Sequence, residues 1–127
     1  MAVRIFLGLS ALLWLPYGLL CFFQPTGLSG AGIMFTNPTG ATELRAMYGG
    51  LQAAIGAVAL LGALRPLLAE RALTLLFVVC AGLGLARLLG AAIDGEVSSY
   101  TTMALALELG TVAITAFLLR RRPALVG

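Results

Sequence analysis

Four apolar stretches, each close to the length of a bilayer crossing, constrain this chain more than any other feature. They run from about Ile5 to Phe23, Leu44 to Leu64, Ala72 to Ile93 and Tyr100 to Leu119. A helix needs ~20 predominantly apolar residues to cross about 30 Å of hydrocarbon. Ala, Leu and Gly dominate the stretches, and no sustained period-2 alternation favours strands. The expected fold is all-α: an integral membrane bundle of four transmembrane helices, forming a single domain over residues 1–127. Composition points the same way, with 61% hydrophobic residues, 10% charged residues and a mean hydropathy of +1.05. A soluble domain is nearer about half apolar and about a quarter charged. A soluble fold of this length could not hide so much apolar surface, whereas lipid acts as solvent for it.

Turn chemistry separates the stretches. Residues 24–42 are rich in Gly, Pro, Thr and Ser and read as a loop, with Thr42 expected to cap the second helix and Glu43 in its first turn. Arg65-Pro66 should stop that helix, Asp94-Gly95 should end the third, and Ser98 or Ser99 should cap the fourth. The first stretch carries Pro16, expected to kink it. Arg4 followed by an apolar run can also be a secretory signal, but no A-x-A-like site follows, and Leu20 is too large to precede a lipidated Cys21. The first stretch is therefore read as a retained helix. The two halves do not align as a repeat.

All eight basic residues are Arg, and their positions predict an orientation. If the helices alternate, Arg4, Arg65, Arg71, Arg120, Arg121 and Arg122 share one side with Glu70, while Glu43, Arg45, Asp94 and Glu96 share the other. The positive-inside rule then places both termini in the cytoplasm of a cell whose inner membrane holds the protein. No basic face with interleaved aromatics suggests nucleic acid. There is no His, no C-x-x-C and no metal-ligand cluster, so no metal or cofactor is expected and an enzyme is disfavoured. Cys21 and Cys80 read as buried apolar residues at different depths, and Trp14 and Tyr17 as packing or interfacial groups.

The informative residues are charges inside the helices. Arg87 lies about two turns from the outer end of the third helix, and Glu108 near the centre of the fourth. Either charge alone in lipid costs several kcal/mol, so each should face the bundle and find a partner. A mutual ion pair is the leading expectation, with Asp94 as a competitor for the same Arg. Arg45, Tyr48, Gly49 and Gln52 share a face of the second helix, and Thr101, Ala104, Glu108, Thr111 and Thr115 form a small, polar stripe on the fourth. Gly49, Ala53 and Gly56 on the second helix, and Gly82, Ala86 and Gly90 on the third, read as close-packing seams. The candidate site is thus Tyr48, Gln52, Arg87, Asp94 and Glu108 around a polar pocket in the outer half of the bundle, with Glu43 and Arg45 at its rim. The same residues could instead form an ion-pair network that only fixes helix register.

The run Glu43-Leu44-Arg45-Ala46-Met47-Tyr48-Gly49-Gly50-Leu51-Gln52, then Gly84-Leu85-Ala86-Arg87-Leu88-Leu89-Gly90, Asp94-Gly95 and the mid-helix Glu108, resembles the bacterial four-helix membrane family filed as domain of unknown function 4345. The resemblance covers nearly the whole chain and implies a charged signature at Glu43, Arg45, Arg87, Asp94 and Glu108. A more distant similarity, resting on architecture, is to DoxX-like proteins, some of which accompany membrane redox systems. Neither implies a reaction.

Three function classes follow. The first is an accessory or hydrophobic-ligand-binding protein, its pocket holding a lipid or quinone, or its bundle docking on a membrane complex or a second copy of itself. The second is a membrane-embedded enzyme using Glu108 or Asp94 with Arg87 on a lipid-soluble substrate. The third is an oligomeric transporter or channel, for which no discontinuous-helix pair is evident. The accessory or binding class is preferred.

Overall fold

The computed structural model describes residues 1–121 of the 127. Among them are four helices long and apolar enough to cross a membrane: α1, Ala2–Phe23; α2, Pro38–Leu64; α3, Ala69–Asp94, entered through a tight helical turn at Pro66–Leu68; and α4, Ser99–Arg120. The protein is an all-helical, multi-pass membrane protein. Its lipid-facing character is visible in the side chains that remain uncovered. Leu12 is 73% exposed, and Leu9, Leu19, Val78, Leu89 and Met103 also present most or much of their surface outward. Water would not tolerate so much contiguous apolar surface on a soluble protein.

The chain forms two compact units, Met1–Ala69 and one beginning at Glu70. The first unit is the α1/α2 pair. Its core holds Leu7, Ala11, Trp14, Cys21, Ile55 and Ala59, all buried. Trp14 is therefore a packing residue rather than an interfacial anchor. The two helices meet along small residues, as the Gly49, Ala53 and Gly56 seam predicts. A Cβ added at Gly18 of α1 would lie 2.7 Å from the Gly49 carbonyl oxygen and 2.8 Å from the Ala53 Cα. One added at Gly56 would lie 2.8 Å from the Leu15 Cα, and one at Gly49 would lie 2.8 Å from the Phe22 Cα. Absent side chains let the backbones touch, and in lipid such contact is a main source of helix association.

Two arginines fasten the ends of this pair. Arg4 Nε, at the start of α1, donates to the Ala63 carbonyl at the end of α2 over 2.8 Å. Arg45 Nε donates to the Phe22 carbonyl at the end of α1 over 3.2 Å. Both acceptors belong to last turns, whose carbonyls lack helical partners and carry the negative end of the helix dipole.

The start of α2 departs from expectation. It begins at Pro38, four residues before Thr42 and inside the stretch expected to be loop. Asn37 is the cap, its Oδ1 accepting from the Gly40 N–H at 2.8 Å, and Pro38 occupies the first helical position. Asn followed by Pro is a strong start signal, because Pro sets φ in advance and lacks an N–H that would be orphaned anyway. Thr42 instead lies within the helix and donates its hydroxyl to the Pro38 carbonyl at 3.1 Å. The remaining loop contains a short helical turn, Pro25–Ala31, closed by Gly32 at φ 76°.

The second departure is inside α2. Residues Arg45–Gly50 form a π-helical segment, with the Leu51 N–H bonded to the Ala46 carbonyl. The wider turn changes which residues share a face across it, and such segments recur at functional sites.

The second unit contains α3 and α4. Arg65 ends α2 in an extended conformation before Pro66, Gly95 at φ 67° follows α3, and Ser98 caps α4 by accepting from the Thr101 N–H at 3.1 Å. These three boundaries follow the sequence signals. The expected seam on α3 does not. Gly82 and Gly90 have nothing within reach of an added Cβ, and Gly82 and Ala86 are exposed. Gly84 is the buried glycine, where an added Cβ would lie 3.4 Å from Leu109 Cδ2 and 3.7 Å from Glu108 Cβ. The small residues of α3 repeat at helical spacing on more than one face, and the face turned to α4 is the one bearing Gly84 and Arg87.

Candidate functional site

Glu108 is delivered by α4 in the middle of its polar stripe. Thr101, Ala104 and Thr111 of that stripe are half-buried, and Thr115 is fully buried. The Thr115 hydroxyl does not reach another helix. It turns back onto its own helix, 2.7 Å from the Thr111 carbonyl and 3.0 Å from that of Val112. This satisfies the hydroxyl and leaves a smooth, small surface for packing.

Opposite Glu108, α3 presents Cys80, Gly84 and Arg87 at spacings that share one helical face. Cys80 is fully buried and a free thiol. Gly84 removes the bulk that would keep the carboxylate away. Arg87 then reaches Glu108 as a fork: Nη2 to Oε1 at 2.9 Å, Nε to Oε2 at 3.1 Å and Nε to Oε1 at 3.3 Å. Two nearly parallel charge-assisted bonds fix the plane of the guanidinium as well as its distance. The Tyr100 ring centroid lies 5.8 Å from the Arg87 Cζ, within cation–π range. Tyr100 belongs to the site although sequence reading passed over it. The available signal was its position two turns before Glu108 on the same stripe.

The two charges differ in access. The Glu108 side chain is 3% exposed and that of Arg87 is 26% exposed. The carboxylate is sealed, and Arg87 is the partly uncovered member of the pair. Asp94, the expected competitor, is exposed as the last residue of α3. Arg87 takes Glu108 as its carboxylate partner.

The other four candidates belong to the first unit. Glu43 is exposed and Arg45 is half-buried, its Nε on the Phe22 carbonyl. Arg45 is thus a strut between α1 and α2. Tyr48 is half-buried within the π-helical segment. Gln52 is buried two residues past that segment, and among the described residues its Oε1 has no hydrogen-bond partner. Buried carbonyl-type oxygens are normally satisfied, so Gln52 is the first unit's clearest polar anomaly. No group of three or more metal-ligating side chains occurs among the described residues.

Residues 2–119 match the profile of a family described as Domain of unknown function (DUF4345). The chain belongs to this family. The DUF4345 match includes all four membrane helices up to Leu119 and every residue of the Arg87, Tyr100 and Glu108 cluster. No curated protein and no solved structure matches this DUF4345 chain.

Proposed function

We propose that this protein is a membrane-embedded binding or accessory protein, and that Arg87, held by Glu108, is its recognition group. One observation carries the reading: the asymmetric access of a pair that is otherwise fully formed. A pair serving only to lock two helices has no need of an accessible partner. Here the carboxylate is sealed while a quarter of the arginine side chain is accessible (26% against 3%). The forked bonds hold the guanidinium in one plane and reduce the entropy a ligand would otherwise have to remove. Intramembrane ionisable residues are costly and are commonly retained for function. A lipid or quinone is the ligand type that reaches such a group from the bilayer. Docking on a membrane complex is the other form of the same reading.

The test is extraction of small molecules from the purified protein followed by mass spectrometry. Wild type should carry a lipid-soluble molecule that an Arg87→Ala variant lacks. Identical extracts, together with unchanged co-purifying proteins, would count against the reading.

The proposal includes an orientation, with both termini cytoplasmic and the protein in the inner membrane. It rests on Arg4, Arg65, Arg71, Arg120 and Arg121 falling on one side when crossings alternate. Arg122, counted with them in the sequence, lies outside the described residues. Arg121 packs its Cζ 4.2 Å from the Phe117 ring centroid, an arrangement suited to a membrane edge. Reporter fusions at the C-terminus should be active only for a cytoplasmic reporter; activity of a periplasmic reporter there would reverse the orientation.

A further inference from the structure

The end of the α1/α2 unit holds a second polar feature. An open groove of about 500 Å³ lies there, lined by Met1, Arg4, Ile5 and Ala63. Its basic wall is held in place, because Arg4 Nε donates to the Ala63 carbonyl at 2.8 Å. Among the described residues, both Nη groups of Arg4 are left without a hydrogen-bond or ion-pair partner. Arg65 follows Ala63 by two residues, where the chain leaves α2 in an extended conformation. Its exposed guanidinium is equally unpaired among those residues.

No carboxylate of the unit offsets these cations. Glu43 is the only acidic residue between Met1 and Ala69. It stands near the start of α2, about 30 Å from Ala63 at ~1.5 Å rise per residue.

The groove's depth in the membrane restricts what can reach it. A crossing helix as long as α1, 22 residues, places its first turn at the level of the lipid head groups. A guanidinium fork matches the oxygens of a phosphate. Ile5, 53% exposed, adds an apolar wall beside the arginine. Inorganic phosphate gains nothing from that wall, whereas a phospholipid can set its phosphate on the arginines and its chains along Ile5. The uncompensated charge then separates lipid classes, since a zwitterionic head brings its own cation toward the arginines.

We propose that this groove binds the phosphate of an anionic phospholipid through the Arg4 Nη groups, with Arg65 as the second cation. The site is independent of the Arg87 reading, being built from other residues in the other compact unit.

The experiment is native mass spectrometry of the full-length protein, released from micelles doped equally with dioleoyl phosphatidylglycerol and dioleoyl phosphatidylcholine. Wild type should retain phosphatidylglycerol over phosphatidylcholine by about fivefold or more, the effect of one basic residue near an anionic membrane surface. Arg4→Lys keeps the charge but not the fork, and should abolish most of that preference. Arg65→Gln, whose side chain has no bond to lose among the described residues, should lower it too, and keeps the test decisive if Arg4→Lys fails to fold. Arg71→Gln removes an exposed arginine outside the groove lining and should leave the preference intact. A wild type that treats the two lipids alike would overturn the proposal. So would a preference unchanged in both Arg4→Lys and Arg65→Gln, or lowered as much by Arg71→Gln, because diffuse attraction does not depend on which arginine supplies the charge. Displacement of phosphatidylglycerol by equimolar inorganic phosphate would assign the groove to a soluble anion instead.

Discussion

Replacing Glu108 with Ala should lower the stability of the protein by about 3–5 kcal/mol, the usual cost of leaving a charge buried without its partner. The loss has two parts. The Arg87 guanidinium forfeits its forked bonds at 2.9 to 3.3 Å, and its charge is left in a low-dielectric setting. Arg87→Ala should be comparably damaging, because Glu108 is the more deeply buried partner at 3% exposed. The combined change Arg87→Met with Glu108→Leu should restore most of what either single change removes. Apolar residues of similar size need no solvation, and such replacements of buried pairs are often neutral or stabilising. Unfolding by a denaturing detergent in mixed micelles measures all three variants. If the double variant is as unstable as the sum of the two single changes, the partners are not coupled and the pair does not exist in the membrane.

The second large effect concerns the seam between α1 and α2. Gly18→Ala and Gly56→Ala should each destabilise that pair, by about 1–3 kcal/mol as overpacking normally does. The new methyl group would meet backbone atoms at 2.7 to 2.8 Å, and backbone cannot step aside as a side-chain tip can. Leu at either position should separate the helices. Gly82→Ala provides the control, since an added Cβ there meets nothing within 4 Å. That change should be neutral or gain up to ~1 kcal/mol from improved helix propensity. Equal tolerance of Ala at positions 18, 56 and 82 in the same unfolding assay would mean that the α1/α2 contact is looser than the structure has it.

The four crossings are legible in the sequence because lipid imposes length and hydropathy together, and few other folds satisfy both. The Arg87 and Glu108 pair is legible for a related reason, since hydrocarbon leaves an isolated charge no alternative but to find a partner. Element ends were readable where one residue type carries the signal, as at Pro66, Gly95 and Ser98. The start of α2 is masked in the sequence despite a strong local signal, because Asn37-Pro38 is embedded among Gly and Thr residues that also favour loops. Other features have no signature in a single sequence. Arg45 bonds to the Phe22 carbonyl, and any residue's backbone can supply such an acceptor. The choice of Gly84 over Gly82 and Gly90 as the contact glycine depends on the rotation of α3 toward α4, which tertiary packing sets. The π-helical segment at Arg45–Gly50, whose Gly49 lies against the Phe22 backbone of α1, likewise has no signature in its six residues.

A register lock and a recognition site make the same demand on stability, so stability alone does not separate them. The apolar double variant does. Arg87→Met with Glu108→Leu keeps the packing and deletes the donor. Mass spectrometry of small molecules extracted from this folded variant, set beside wild type, is therefore the most direct measurement. A stable double variant that has lost the molecule carried by wild type is the predicted result. A stable double variant that retains the same molecule at the same occupancy would contradict the account and leave the pair as a structural lock.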